Sequence, residues 1–180
     1  MHRLFVALRP PPAIRSALLS IEDGVPGARW QSDEQLHLTL RFIGTVDRPV
    51  AEDLAACLAQ VVAPAVQVSL AGVGRFDRRG ATDALWAGVA PHRLLAHLHR
   101  KVDQACVRAG VAPERRAYLP HVTLARFSRS AGLTPAIDRW LADHAGLASA
   151  PFDLTHLVLY ESHLGGEGAR YEAVARWPLD

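Results

Sequence analysis

Two short stretches of this chain, His37-Leu38-Thr39-Leu40 and His121-Val122-Thr123-Leu124, set an imidazole and a hydroxyl two residues apart. Side chains on a β-strand alternate faces with a period of two, so each histidine and its threonine point the same way. With nine histidines and six threonines in 180 residues, about 0.3 His-x-Thr triplets are expected by chance, and two occur. Aliphatic residues fill the intervening positions, so one face of each strand is expected to be buried. The polar pair on the other face must then find partners or a water-filled cleft.

Two imidazoles across a cleft suit general acid–base catalysis. Histidine titrates near neutrality, so one neutral ring can take a proton while a protonated partner gives one up. Threonine hydroxyls supply neutral donors for anionic oxygens. The set fits in-line attack on a phosphodiester without a metal. The acidic clusters of a two-metal phosphatase are missing, and there is no phosphate-binding glycine loop of the Walker type. His92, His97 and His99 lie near or on one helix, with His97 and His99 on different faces. His144, His156 and His163 have no His-x-x-x-His or cysteine companion, so no zinc site is expected.

The elements that must position these groups follow from periodicity. Residues 3–8 read as an interior strand, apolar on both faces. Pro12 opens a helix carrying Ile14, Ala17, Leu18 and Ile21, and Gly24 is its expected stop. Residues 28–46 hold the first motif, with Leu36, Leu38, Leu40 and Phe42 on one face and His37, Thr39 and Arg41 on the other; Gly44 marks the end. Asp47 is a candidate N-cap for a helix with Val50, Leu54, Cys57, Leu58 and Val61 in its stripe. A strand at 66–70 leads through Gly72–Phe76 into a polar turn, and 84–90 is the next strand. A third helix carries Leu94 to Cys106 and a fourth begins at Thr134-Pro135. The second motif strand spans 121–127, and 152–164 with 170–179 reads as a closing hairpin. Strand and helix units recur weakly, one His-x-Thr strand in each half. This predicts one unit over 1–180 of two pseudo-equivalent lobes of antiparallel-rich sheet covered by helices on their outer faces.

Hydrophobic residues make up 49% and charged residues 21% of the chain, enough for a sizeable core. A net charge of +2 does not by itself point to a nucleic-acid partner. Lys101 is the lone lysine; arginine suits phosphate recognition, though compositional bias explains the skew more simply. Cys57 and Cys106 lie in helix-like stretches and read as small buried apolar groups, not a disulfide. The apolar run at 4–8 stops at Pro10-Pro11-Pro12, too short for a signal peptide, and no run approaches membrane-spanning length. A cytoplasmic protein without membrane contact is expected. Nothing forces a dimer, so a monomer is expected.

The motifs in their contexts resemble the 2H phosphoesterases, specifically the RNA 2′,3′-cyclic phosphodiesterases also known as 2′-5′ RNA ligases. The likeness covers nearly the whole chain. It rests on Arg3-Leu4-Phe5-Val6-Ala7-Leu8, on Arg29-Trp30 followed by Leu36 to Gly44, and on Gly74-Arg75-Phe76 with Leu85-Trp86-Ala87-Gly88-Val89. Pro120 to Arg126, Leu159-Tyr160-Glu161-Ser162 and Gly168-Ala169-Arg170-Tyr171 complete it. The resemblance implies a single bilobal α+β domain over 1–180, two antiparallel-rich sheets facing a central cleft across which the two motifs meet, with helices on the outer faces. It also implies hydrolysis of a terminal 2′,3′-cyclic phosphate to a 2′-phosphate, with reversible 2′-5′ joining of RNA ends. It implies His37 as proton donor to the leaving 3′-oxygen and His121 as the acceptor that activates water. Thr39 and Thr123 would hold the non-bridging oxygens, with no metal and no cofactor. The partner implied is RNA ending in a 2′,3′-cyclic phosphate, or a small nucleotide. The same residues would serve 2′-5′ oligonucleotides or small cyclic nucleotides, and a non-catalytic binder of RNA ends is the alternative of another class. Arg126 is a phosphate-binding candidate, but strict alternation from His121 puts it on the face of Val122 and Leu124, away from the cleft, unless the strand bulges. Phe42 meets the same difficulty and is read as core. Trp30 and Trp86 are aromatic enough to stack a base, with burial the commoner outcome.

Overall fold

The structure, a computed structural model, describes residues 1–128 and 134–180. Its elements run β1 (His2–Leu8), α1 (Pro12–Leu19), β2 (Arg29–Trp30), a 3₁₀ turn (Asp33–Gln35), β3 (Leu38–Val46), α2 (Arg48–Leu58), β4 (Val66–Arg78), β5 (Ala81–Ala90), α3 (Arg93–Arg108), β6 (His121–Arg126), α4 (Pro135–Asp143), β7 (Phe152–Leu154), β8 (His156–Gly165) and β9 (Gly168–Pro178). Local chemistry sets the helix starts. Pro12 and Pro135 occupy first-turn positions, where a missing N–H costs nothing. The Asp47 carboxylate accepts the Val50 N–H at 3.1 Å, capping α2 as the sequence predicts.

The strands form one antiparallel array in the order β7-β4-β5-β6-β3-β1-β8-β9, with β2 added beside β6. Two units of the same order, β1-α1-β3-α2 and β5-α3-β6-α4, supply the centre of the array and all four helices. In each unit the two strands pair with each other, and the inner strands β3 and β6 meet at one residue pair, Leu38 with Val122. The two expected sheets are therefore joined edge to edge at the motif strands. One face of the array, through Leu4, Val6, Leu38, Leu85, Val122 and Leu124, packs on the helices through Leu18, Leu54, Leu95, Leu98, Ile137 and Trp140. The other face carries a small separate cluster of Phe5, Ala7, Val158 and Tyr160, with Tyr171 against it. Among the described residues no helix is long and apolar enough to cross a membrane.

Three local expectations need correction. The strand read over 152–164 breaks at Thr155, because β7 pairs with β4 while β8 pairs with β1. The strand expected over 66–70 does not stop there; β4 runs on through the polar Asp77 and stays paired with β5 as far as Arg78 and Ala81, which leaves Arg79 and Gly80 as the turn. Gly44 does not end β3. It sits inside the strand at φ +86°, a backbone conformation that favours glycine, where the register with β1 shifts between Leu4 and Phe5.

Candidate active site

Both motif histidines are held in the same way by the backbone just before their strands. His37 Nδ1 lies 2.7 Å from the Gln35 carbonyl, and His121 Nδ1 lies 2.7 Å from the Leu119 carbonyl. A carbonyl can only accept, so Nδ1 carries the proton in both rings and Nε2 is left for chemistry. His37 Nε2 is 3.0 Å from Thr39 Oγ1, whereas the Thr123 hydroxyl has no partner among the described residues. The turn that carries Gln35 is itself anchored. Gln35 Oε1 accepts the Ser32 N–H at 2.9 Å, and Nε2 donates to the Ala169 carbonyl of β9 at 2.7 Å. Asp33 in the same turn accepts from Arg15 Nε at 2.9 Å and pairs with Arg9.

Each imidazole is also packed among aromatic rings on the face away from the helices. His37 lies 4.8 Å from Phe5 and 5.2 Å, edge-on, from Tyr171. His121 lies 4.9 Å from Phe76, edge-on, and 6.0 Å from Trp86. This packing strips water from the rings and disfavours the charged form. Burial pushes His37 down to about 4; its bond to the Gln35 carbonyl opposes that, and the charges of Arg126, His121 and Arg9 add to it. Burial also lowers His121, opposed by the Leu119 carbonyl and reinforced by Arg126. The Leu38–Val122 pairing of β3 with β6 sets the two motifs side by side, and the charge of Arg126 acts on both rings.

The register explains how Arg126 gets there. In β6, Ala125 pairs with Leu85 and Thr123 with Trp86, so Leu124 is an extra residue. This bulge turns both Leu124 and Ala125 into the core and returns Arg126 to the face of His121 and Thr123. Strict alternation fails there, and the condition under which Arg126 faces the cleft is met. The first motif bulges at the matching place. Thr39 pairs with Ala7 and Arg41 with Val6, leaving Leu40 extra. Arg41, expected on the cleft face, is instead 6% exposed on the helix side; its Nε donates to Asp103 Oδ1 at 2.7 Å, and its other nitrogens reach the Phe42 and Ala112 carbonyls. Phe42, read as core, is 50% exposed and faces the cleft, its ring 6.0 Å from Phe5. Phe42 and Arg126 thus stand at equivalent places after His-x-Thr-Leu-x, an aromatic ring in one lobe and a guanidinium in the other.

The two tryptophans separate. Trp30 packs partly buried on the helix side, 5.9 Å from Trp140, away from the cleft. Trp86 shares the cleft face with Thr123, its cross-strand partner, and its ring lies flat over Gly74, where a Cβ would come within 2.2 Å of it. Phe5, Phe76, Tyr160 and Tyr171 were not singled out from the sequence. For Phe5 the signal was present, since it falls on the opposite face of β1 from Leu4, Val6 and Leu8. Among the described residues no group of three or more His, Cys, Asp or Glu side chains is placed to hold a metal ion.

A family profile described as the 2′-5′ RNA ligase superfamily matches residues 10–166. The chain belongs to this superfamily. A superfamily relative from Aeropyrum pernix, named RNA 2′,3′-cyclic phosphodiesterase, is 31% identical and covers 84% of this chain and 85% of its own. A protein of the same name from Geobacillus stearothermophilus is 34% identical over 86% of this chain, which spans 49% of that protein. The solved structure of E. coli LigT complexed with 3′-AMP superposes with a TM-score of 0.80 at 26% identity, over 99% of this chain and 98% of LigT. The α+β architecture of the chain, one large antiparallel sheet with four helices among the described residues, is thus that of a 2′-5′ RNA ligase superfamily protein.

Proposed function

We propose that this chain is an RNA 2′,3′-cyclic phosphodiesterase that opens the terminal cyclic phosphate to a 2′-phosphomonoester by metal-independent acid–base catalysis. The observation that carries the reading is the matched state of the two imidazoles: each Nδ1–H is tied to a backbone carbonyl, which leaves each Nε2 without a proton, Thr39 Oγ1 lies beside that of His37, and Arg126 acts on both rings. The names of the relatives agree with it. In the proposed reaction His121 Nε2 takes a proton from water as the water oxygen attacks phosphorus, and His37 Nε2–H protonates the departing 3′-oxygen. This division of roles is taken from the family resemblance. The P–O3′ bond breaks, the phosphate stays on O2′, and the proton lost by His37 is matched by the one gained at His121. Thr39, Thr123 and Arg126 hold the non-bridging oxygens, whose charge is greatest in the transition state. In the free protein both rings are neutral near pH 7. The incoming anion offsets Arg126 and favours protonation of the donor. A 5′-hydroxyl in place of water gives a 2′–5′ link by the same steps.

The test is turnover of an RNA ending in a 2′,3′-cyclic phosphate, with EDTA present, and identification of the product. A 2′-phosphate is expected, and His37→Ala and His121→Ala are each expected to lower kcat at least about 100-fold with circular dichroism unchanged. Loss of wild-type activity on chelation removes the metal-free mechanism. Full activity in either variant removes that histidine from its role, and binding without turnover makes the chain a reader of RNA ends.

A further inference from the structure

Arg126 does not stand alone on the cleft face. In the β2–β6 pairing its cross-strand partner is Arg29, and the next pair along is Trp30 with Ala125. Residues directly opposite in an antiparallel ladder project to the same face. The Trp30 pair shows which face is which. Ala125 is buried in the main core, and the Trp30 ring meets Trp140 of α4. Trp30 is therefore on the helix side, and Arg29, one residue earlier, is with Arg126 on the cleft side.

Both arginines are exposed, and neither has a carboxylate partner among the described residues. Other arginines have carboxylate partners: Arg75 pairs with Asp77 and Asp138, and Arg9 and Arg15 share Asp33. Like charges directly opposite on neighbouring strands weaken a sheet. An uncompensated guanidinium pair beside two catalytic imidazoles thus costs the fold something and offers an anion a seat. Arginine's planar fork matches phosphate oxygens. Strands lie about 4.8 Å apart, and two long side chains can spread their heads further than that. The pair can therefore meet two successive phosphates of one strand.

We infer that Arg29 binds a second substrate phosphate, the one on the 5′ side of the terminal nucleotide, while Arg126 serves the cyclic phosphate. The inference rests on the proposed cyclic phosphodiesterase reading. It makes the ligand an oligoribonucleotide end rather than a lone nucleoside cyclic phosphate.

Two substrates that differ by one nucleotide, and so by one bridging phosphate, provide the test: a nucleoside 2′,3′-cyclic phosphate with a free 5′-hydroxyl, and a dinucleotide ending in the same cyclic phosphate. The quantity read is the ratio of their kcat/KM values. Wild type is expected to favour the dinucleotide, and Arg29→Ala to lose about tenfold or more of that preference. Arg29→Lys, which keeps the charge without the fork, is expected to recover part of it. An unchanged ratio overturns the inference, whether both substrates fall together or neither does. A second measurement does not need turnover. Binding of the dinucleotide to His121→Ala protein is followed against salt, with and without Arg29. Removing Arg29 is expected to reduce the slope of log K against log salt by about 0.7, and an unchanged slope also overturns the inference. If wild type turns over neither substrate, the activity reading fails while the slope still decides the subsite. Arg29→Ala removes a like-charge contact, so its Tm is expected to hold or rise; a fall of several degrees would make Arg29 a structural residue instead.

Discussion

His37 and His121 share a tautomer and an aromatic setting, yet they are not equivalent. His37 is driven down to about 4, while its Nε2 already contacts Thr39 Oγ1. Both rings sit below the ordinary histidine value of 6.5, and Arg126 contributes to both shifts. The pH dependence of kcat/KM reports ionisations of the free enzyme, and two interacting rings titrate as a pair. A bell is expected with both limbs on the acid side of where two unperturbed histidines would put them. A positive charge nearby disfavours an imidazolium, so removing it raises both values. Arg126→Gln is therefore expected to lower kcat/KM by about 10- to 100-fold, through loss of a charge-assisted contact, and to move both limbs to higher pH. Rate profiles between about pH 4 and 8, with imidazole titration by NMR, check this. A profile that drops in height without moving would show that Arg126 touches substrate but not the histidines' ionisation.

The strands that carry these residues were legible up to a point with a physical cause. Alternation correctly joins His37 with Thr39 and His121 with Thr123, because period two is a property of one strand. It fails after Leu40 and Leu124, where each strand has one residue more than its partner. A bulge belongs to the pairing between strands, so no single stretch of sequence displays it. Arg41 is withdrawn from the cleft by Asp103 of α3, a contact 62 residues away in the chain. In the sequence Gly74 marks the lead into a turn and part of a stretch shared with the family, with no sign of what needs a glycine there. Its importance comes from β5, where the Trp86 ring occupies the space a Cβ would need. Trp86 in turn lies 5.5 Å from Phe76 and 6.0 Å from His121. Gly74→Ala is expected to displace the indole, cost about 1–3 kcal/mol of stability and lower kcat by disturbing the packing that orients His121. Gly146→Ala, with nothing within 4 Å of the added methyl, is the control. Unchanged tryptophan fluorescence and kcat in Gly74→Ala would exclude Trp86 as a support for His121.

For the molecule as a whole, the order of strands and helices was readable because hydrophobic periodicity is local. The edge-to-edge joining of β3 and β6 and the division of β7 from β8 were not, since both depend on which edges remain unpaired once the helices are packed. The β3-β1-β8-β9 order puts a titrating ring among Phe5, Tyr160 and Tyr171, and stability carries the consequence. As pH falls below 6.5 the unfolded chain takes up a proton on His37, which the folded chain refuses until about pH 4. Wherever the unfolded state binds more protons, stability falls with falling pH. The contribution of His37 is therefore fully favourable above pH 6.5 and erodes through that window. His37→Gln carries no such proton. Its stability relative to wild type is expected to improve by about 2 kcal/mol on going from pH 8 to pH 5, even as turnover is lost. Urea unfolding of both proteins at the two pH values measures the difference directly. His121 shifts in the same direction and remains in both proteins, so its own desolvation enters both sides of the comparison. If the gap between His37→Gln and wild type is the same at both pH values, the aromatic pocket does not exclude the proton, and the acid-shifted rate profile argued above loses its cause.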